Sequence, residues 1–343
     1  MRAQAGDSED MGEQETGGRS DPVLVTGAAG FIGHAVAHGL LDRGERVIGL
    51  DNLNDYYDPR LKLARLATLE ARAGFGFERL DIAEAERVAD LVRRAGVRRV
   101  VHLAAQAGVR YSLENPFAYQ RSNLQGHLSV LEACRGAPGF AHLVYASSSS
   151  VYGDRPLGSR GFSEDEPAVA PVSLYAATKR ACELMSHSYA MLYGLPQTGL
   201  RFFTVYGPWG RPDMAVFGFT RKILSGEPIE VYGEGRMARD FTYIDDIVGG
   251  LLAALSRPPE AGVHRLLNIG DNRPVGLGDM IRAIEEALGR QAVKILRPMQ
   301  PGDVTATFAD ISKLQTLTGY RPRVMLEEGV RRFVDWYRDF YCA

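Results

Sequence analysis

The 343 residues are 45% hydrophobic and 24% charged, with a formal net charge of -2. This is ordinary globular composition for one large or two smaller domains, and it carries no basic footprint for nucleic acid or an acidic membrane surface. Three widely spaced cysteines, Cys134, Cys182 and Cys342, suggest neither a disulfide framework nor a zinc site, and no apolar run is long enough to span a bilayer.

In chain order, residues 1–20 are rich in Gly, Glu, Asp and Gln and lack an apolar stretch. A disordered extension is expected there rather than a secretory signal, and a soluble, cytoplasmic protein with it. From Pro22 short apolar runs alternate with helical patterns, the signature of a parallel α/β sheet. The first expected strand, Val23–Thr26, runs straight into Gly27-Ala28-Ala29-Gly30-Phe31-Ile32-Gly33, which opens a helix to about Leu41. Residues without side-chain bulk let a pyrophosphate approach backbone N–H groups at a helix N-terminus, where the dipole favours negative charge. Taken alone, the glycines also suit a mere tight strand-helix turn, the lesser of the two readings. His34 and His38 stand at i, i+4 on this helix with no acidic ligand near, which reads as an exposed face and not a metal site.

The second strand, Arg46–Leu50, ends in Asp51, 18 residues after Gly33. An acid there accepts from an adenosine ribose 2′-hydroxyl and repels a 2′-phosphate; no Arg follows in Asn52-Leu53-Asn54, so NAD is favoured over NADP. After a third strand, Phe75–Leu80, Asp81 is placed either at an adenine edge or as a cap before Ile82-Ala83-Glu84. Crossover helices are expected over Glu84–Arg94 and Phe117–Cys134, flanking a fourth strand at Val97–Leu103.

The fifth strand, His142–Ala146, leads into Ser147-Ser148-Ser149-Ser150-Val151-Tyr152-Gly153, followed one loop later by Tyr175-Ala176-Ala177-Thr178-Lys179. Four residues return to the same helix face, so the Lys179 ammonium sits near the Tyr175 phenol and draws its pKa from about 10 toward the range of a general base. A serine hydroxyl beside the pair hydrogen-bonds a substrate oxygen. A sixth strand is expected at Thr198–Phe203. Beyond about Tyr206 short runs (Ile229–Tyr232, Leu266–Ile269, Lys294–Leu296) interleave with helices (Ile244–Leu255, Leu277–Leu288, Leu326–Tyr337). The expected organisation is a dinucleotide-binding domain over 21–205, with return segments from the C-terminal half, and a smaller α/β substrate lobe mainly over 206–343.

Together these features resemble the extended short-chain dehydrogenase/reductases from Pro22 onward. Within them, residues 51–58 (DNLNDYYD), 102–110 (HLAAQAGVR), 207–214 (GPWGRPDM) and 299–304 (MQPGDV) are similar to the UDP-glucuronate 4-epimerase family. The resemblance implies a Rossmann-like doubly wound parallel sheet with a nucleotide-sugar lobe, tightly bound NAD and a homodimer, without the membrane anchor of plant members.

Carried onto this chain, the resemblance makes Tyr175 the base for the sugar 4-hydroxyl while carbon 4 gives up its hydride, Lys179 the support of the nicotinamide ribose, and Ser148 a partner of the 4-oxygen. Gly27, Ala29, Gly30, Phe31, Ile32, Gly33, Asp51, Asn52, Asp81, Ile82, Leu103, Ala104, Ala105, Asn123 and Phe202 fall at cofactor positions, Asn123 being equally a buried structural amide. Arg110, Ser149, Ser150, Thr204, Arg211, Tyr232, Arg239 and Asp303 fall at substrate positions. Arg239 matches the diphosphate arginine, Asp303 the uridine ribose position and Tyr232 the wall around the uracil, or apolar packing. Arg211 suits a carboxylate, or is a solvated loop charge. Related dehydratases carry an Asp-Glu pair, and decarboxylases a Glu, just before Val-Tyr-Gly. Ser149 and Ser150 stand there instead, though they also suit a turn cap, and the absence of an acid–base group points to epimerisation. The readings left open are a neutral UDP-hexose epimerase such as UDP-glucose 4-epimerase, and a catalytically silent NAD-binding protein.

Overall fold

The computed structural model describes residues 21–154, 161–299 and 305–342. The expected extension over 1–20 and Asp303 lie outside them. Strands and helices alternate through the first half: β1 (Val23–Thr26), α1 (Phe31–Asp42), β2 (Val47–Asp51), α2 (Pro59–Glu70), β3 (Phe75–Arg79), α3 (Ala85–Arg94) and β4 (Arg99–His102). Short helices α4 (Tyr111–Glu114) and α5 (Pro116–Tyr119) lead into α6 (Gly126–Arg135), followed by β5 (His142–Ser148), α7 (Leu174–Tyr193) and β6 (Gln197–Phe202). The second half continues with β7 (Thr204–Tyr206), α8 (Ala215–Ser225), β8 (Ile229–Tyr232), β9 (Ala238–Tyr243), α9 (Ile244–Leu255) and β10 (His264–Ile269). It closes with β11 (Pro274–Gly276), α10 (Leu277–Leu288), β12 (Lys294–Arg297), β13 (Ala306–Thr307), α11 (Ser312–Thr318) and α12 (Leu326–Tyr341).

Seven strands make one sheet in the order β10-β6-β5-β4-β1-β2-β3, every neighbouring pair parallel. Helices cover both faces, which is why β1 and β6 are buried along their whole length. The chain order reverses between β1 and β4, so the crevice beyond the carboxyl ends of these strands is where an open α/β sheet takes its ligand. β10, from the second half of the chain, completes the sheet beside β6. Its helix α9 lies close on α1: a Cβ on Gly39 would stand 2.8 Å from Val248 and 2.9 Å from Leu252. Two smaller sheets, β7, β9, β11 and β13 together and β8 with β12, build the wall facing the strand ends.

Local signals explain the helices that matter for the site. Asp58 caps α2, accepting from the Arg60 N–H at 3.0 Å, and Pro59 sits in the first turn. Ser173 caps α7 by accepting from Ala176 N–H at 3.1 Å, and Gly194, at φ 69°, ends it in the left-handed region. The expected single helix over Phe117–Cys134 is interrupted by a π-helical turn at Gln120–Gln125.

The expected exposed face at His34 and His38 is corrected. His34 is buried, His38 is partly buried, and both Nε2 atoms lie within hydrogen-bond distance of Thr68 Oγ1, at 2.9 and 3.1 Å. The cover is α2, whose charged residues hide its buried stripe in the sequence. Among the described residues no helix is long and apolar enough to cross a membrane, and no group of three or more His, Cys, Asp or Glu is placed to hold a metal.

Candidate active site

One cavity of about 860 Å³ runs along the carboxyl ends of the parallel strands and under the smaller sheets. Its floor is backbone. The turn after β1 has no room for side chains: a Cβ on Gly33 would lie 2.0 Å from the Gly27 carbonyl oxygen, and one on Gly27 would lie 2.8 Å from the Ala104 nitrogen. Helix α1 starts there without a side-chain cap and without an acid in its first turn, so its first N–H groups face the cavity end of a helix dipole that favours an anion. The Thr26 hydroxyl accepts from the Leu103 and Ala104 N–H groups at 3.2 and 3.1 Å and lies 2.7 Å from His102 Nδ1. Burial holds His102 at a pKa of about 3, so the ring beside this hydroxyl is neutral. Residues Leu103, Ala104 and Ala105 are thereby laid along the glycine turn.

Asp51 ends β2 at the cavity wall, its carboxylate accepting from Ala29 N–H at 3.2 Å and Leu53 N–H at 2.8 Å. That leaves acceptor capacity on both oxygens toward the cavity. Asn52 and Ile82 also line the cavity, as does Phe202 farther along the sheet, where it pairs with Ser148. Ala29, Asp81 and Asn123 do not. The Asp81 carboxylate accepts from Ala83 N–H at 2.9 Å and meets Arg121 at 3.1 Å, while Asn123 is buried, bonding Gln106 through both its backbone groups and Thr178 through its hydroxyl.

Strand β5 delivers the serines. Ser147 and Ser148 both line the cavity, and the Ser147 hydroxyl is taken up by Glu183, to which it donates at 2.6 Å. Ser148 Oγ accepts from Ser150 N–H at 3.2 Å and Ser150 Oγ at 2.9 Å, so the turn cap falls on Ser148 and its own hydrogen is free to donate. Ser149, Ser150, Tyr175 and Lys179 line the same wall. Lys179 is buried and donates through Nζ to the Ala146 carbonyl at 2.9 Å, which fixes its charge against the end of β5. The register of α7 is held one turn on, where buried Glu183 accepts from Arg201 Nε at 2.8 Å and Nη2 at 2.9 Å. Tyr119 lies edge-on to Tyr175, with ring centroids 6.1 Å apart.

The opposite end is made of side chains from distant loops and from strands of the smaller sheets. Arg211 is in a two-point ion pair with Asp213, Nε at 3.0 Å and Nη2 at 2.5 Å, and Tyr56 donates to the same carboxylate at 3.2 Å. Thr204 and Arg239 also face the cavity. The Arg110 guanidinium stands over the Tyr232 ring at 4.9 Å, and the Tyr232 hydroxyl donates to Glu230 at 2.8 Å. Asp213, Tyr56, Lys62 and Glu230 line the cavity without having been singled out in the sequence. The Asp58-Pro59 helix start followed by Leu61, Lys62, Arg65, Leu66 and Leu69 was the available signal for Lys62, all five being buried on one stripe of α2.

The chain matches the NAD dependent epimerase/dehydratase family over residues 23–270. A probable UDP-glucuronate 4-epimerase of Rhizobium meliloti (strain 1021) is 47% identical over 338 residues, 93% of this chain and 97% of the relative. UDP-glucuronate 4-epimerase 4 of Arabidopsis thaliana is 48% identical over 336 residues, 94% of this chain and 76% of that protein. Among solved structures, the UDP-glucuronic acid 4-epimerase of Bacillus cereus, in complex with UDP-glucuronic acid and NAD, is similar with a TM-score of 0.87 and 36% identity, covering 93% of this chain and 100% of the other.

Proposed function

Since the chain belongs to the NAD dependent epimerase/dehydratase family, we propose that it interconverts UDP-glucuronate and UDP-galacturonate by NAD-dependent epimerisation at carbon 4, without decarboxylation. The observation that carries this reading is the state of the acids on the cavity wall. Among the described residues they are Asp51, Asp213 and Glu230, each already engaged, and the two residues that follow Ser148 on the wall are Ser149 and Ser150, not acids. No carboxylate stands where a dehydration or decarboxylation would need one. The glycine turn, the uncapped start of α1 and the two-oxygen acceptor at Asp51 fit a dinucleotide whose adenosine ribose is unphosphorylated.

When bound, NAD supplies a reversible hydride acceptor for carbon 4. Tyr175, with the buried Lys179 ammonium one helical turn on, takes the proton of the 4-hydroxyl and later returns it. The free hydrogen of Ser148 holds the 4-oxygen through both steps. Because the ketone must present its second face, the sugar turns within the cavity while the UDP stays held, with Arg239 at the diphosphate and Tyr232 beside the base. The 4-keto acid loses carbon dioxide once the carboxylate bond aligns with the carbonyl π-system. Arg211, Thr204, Ser149 and Ser150 keep that group out of alignment.

The assembly we propose is a homodimer, supported by the apolar side chains that α5 and α7 leave exposed, Phe117, Leu184, Met191 and Leu192. A cytoplasmic location is supported by Cys134 and Cys182, buried as free thiols.

The test is to incubate the purified protein with UDP-glucuronate, without added NAD, beside UDP-glucose and UDP-galactose, and to identify products by NMR. UDP-galacturonate alone is expected. Preferential turnover of the neutral sugars, a pentose product, or no turnover despite bound NAD would each replace the reading.

A further inference from the structure

Arg65, on α2, is fully buried, and among the described residues no carboxylate is within ion-pair distance of it. A buried charge without a counter-ion is costly unless every donor is satisfied. All five donors are. Nη1 gives to the Ala29 carbonyl at 3.1 Å and the Tyr57 hydroxyl at 2.6 Å, Nη2 to the Trp209 and Gly210 carbonyls at 2.6 and 3.3 Å, and Nε again to Trp209 at 3.2 Å.

These acceptors come from three separate segments. Ala29 is inside the glycine turn, Tyr57 is in the loop that follows Asp51, and Trp209-Gly210 directly precede Arg211. Trp209 is itself held in the left-handed region at φ 63°, a conformation a bulky residue adopts only where its surroundings dictate it. Two of the five bonds from Arg65 go to its carbonyl. The same loop after Asp51 reaches Arg211 a second time, because Tyr56 bonds the Asp213 carboxylate that grips it.

We propose that Arg65 is a positioning residue that joins the cofactor turn and the Arg211 loop into one unit, so that NAD and the acid sugar each bind more tightly when the other is present. The inference rests on the reading that places the sugar carboxylate at Arg211. A planar five-donor fork is required, because an ammonium has three donors and cannot span the acceptors in one plane. Coupling between ligands is reciprocal, so it is visible from the cofactor side without turnover.

The experiment follows NAD loss from the holoprotein on dilution, in a Tyr175→Phe background that stops chemistry, with UDP-glucuronate, UDP-glucose or no sugar present. UDP-glucuronate is expected to slow NAD loss about fivefold or more beyond UDP-glucose, within the usual range of coupled sites. Arg65→Lys is expected to bring the two sugars level, and, with Tyr175 intact, to release more decarboxylated product than the parent. If Arg65→Lys retains the parent's difference between sugars and its product ratio, the proposal falls. If Arg65→Lys does not fold, Tyr57→Phe decides: it removes one acceptor, and an unchanged difference between sugars overturns the proposal. A parent that turns over neutral sugars and ignores UDP-glucuronate would overturn the functional reading, and this inference with it. Intact turnover of UDP-glucuronate with an unaltered Arg65→Lys would overturn this inference alone.

Discussion

The two ends of the cavity are built from different materials. At the cofactor end, backbone defines the shape: the Gly27 to Gly33 turn, the first N–H groups of α1, and residues 103–105 laid over them by the Thr26 hydroxyl. At the sugar end, side chains separated by up to 157 positions define it, with Tyr56 meeting Asp213 and Arg211, and Arg110 meeting Tyr232. A backbone site tolerates little change at its glycines and is indifferent to most side chains around it. A side-chain site is retuned by one substitution. The first is suited to a ligand that stays, the second to a choice among sugars.

The widest separation between the ends is expected in acid. His34 and His102 are held at pKa values of about 3, and His142 and His264 at about 4, in each case chiefly by burial; His127 is also lowered well below its ordinary value by burial. All five belong to the parallel sheet and its helices. The unfolded chain takes up protons near pH 6.5 that the folded chain refuses. This stability is therefore present above about pH 6.5 and is lost as pH falls toward 4, by about 1.4 kcal/mol per pH unit for each histidine. Chemical unfolding should show lower stability at pH 5 than at pH 7, and hydrogen exchange should show the sheet around β4 and β5 opening first. Equal stability at the two pH values would remove this contrast.

Tyr175→Phe should act on neither end. Turnover is expected to fall about 10²–10⁴-fold, with retained NAD, read from the absorbance of the purified protein, unchanged. Retention of more than about a tenth of the activity would call for another base. Gly33→Ala should break the backbone end alone. Its Cβ meets a carbonyl that cannot step aside, and a penalty of only about 1.4 kcal/mol already weakens NAD binding about tenfold. The protein is then expected to purify without cofactor while still binding UDP, as calorimetry would reveal. Arg211→Ala should break the side-chain end alone. A charge-assisted hydrogen bond contributes about 1.5–3 kcal/mol, enough to shift product partition about tenfold or more toward the decarboxylated pentose with NAD retention intact. NMR of one long incubation measures this, and an unchanged product ratio would remove Arg211 from the carboxylate.

The same contrast decided what the sequence disclosed. The glycine turn and Asp51 are local patterns, because a strand-to-helix turn around a pyrophosphate must be made by consecutive residues. Helices α9 and α10 have the bounds that periodicity alone indicates, Ile244–Leu255 and Leu277–Leu288. Helix α2 escaped because Lys62 and Arg65 interrupt its apolar stripe, though both face inward. His34 and His38 therefore read as an open face in the sequence, although α2 covers them. Strands β7, β11 and β13 span two or three residues each and are defined by pairing with β9, which no local window contains. Arg211 was legible as a charge in its loop, but its grip by Asp213 and Tyr56 was not, since the latter partner lies far back in the chain.

Strand β10 makes the two halves inseparable in practice. A fragment ending after β6 would carry a raw sheet edge in place of the β10 pairing and would leave α1 without α9. Exchanging the second half for that of a relative, to graft a new sugar preference, would replace part of the cofactor-binding body at the same time. Altered specificity in such a chain is therefore reached by editing loops singly, in residues 53–58, 107–110 and 207–214, and not by trading whole modules.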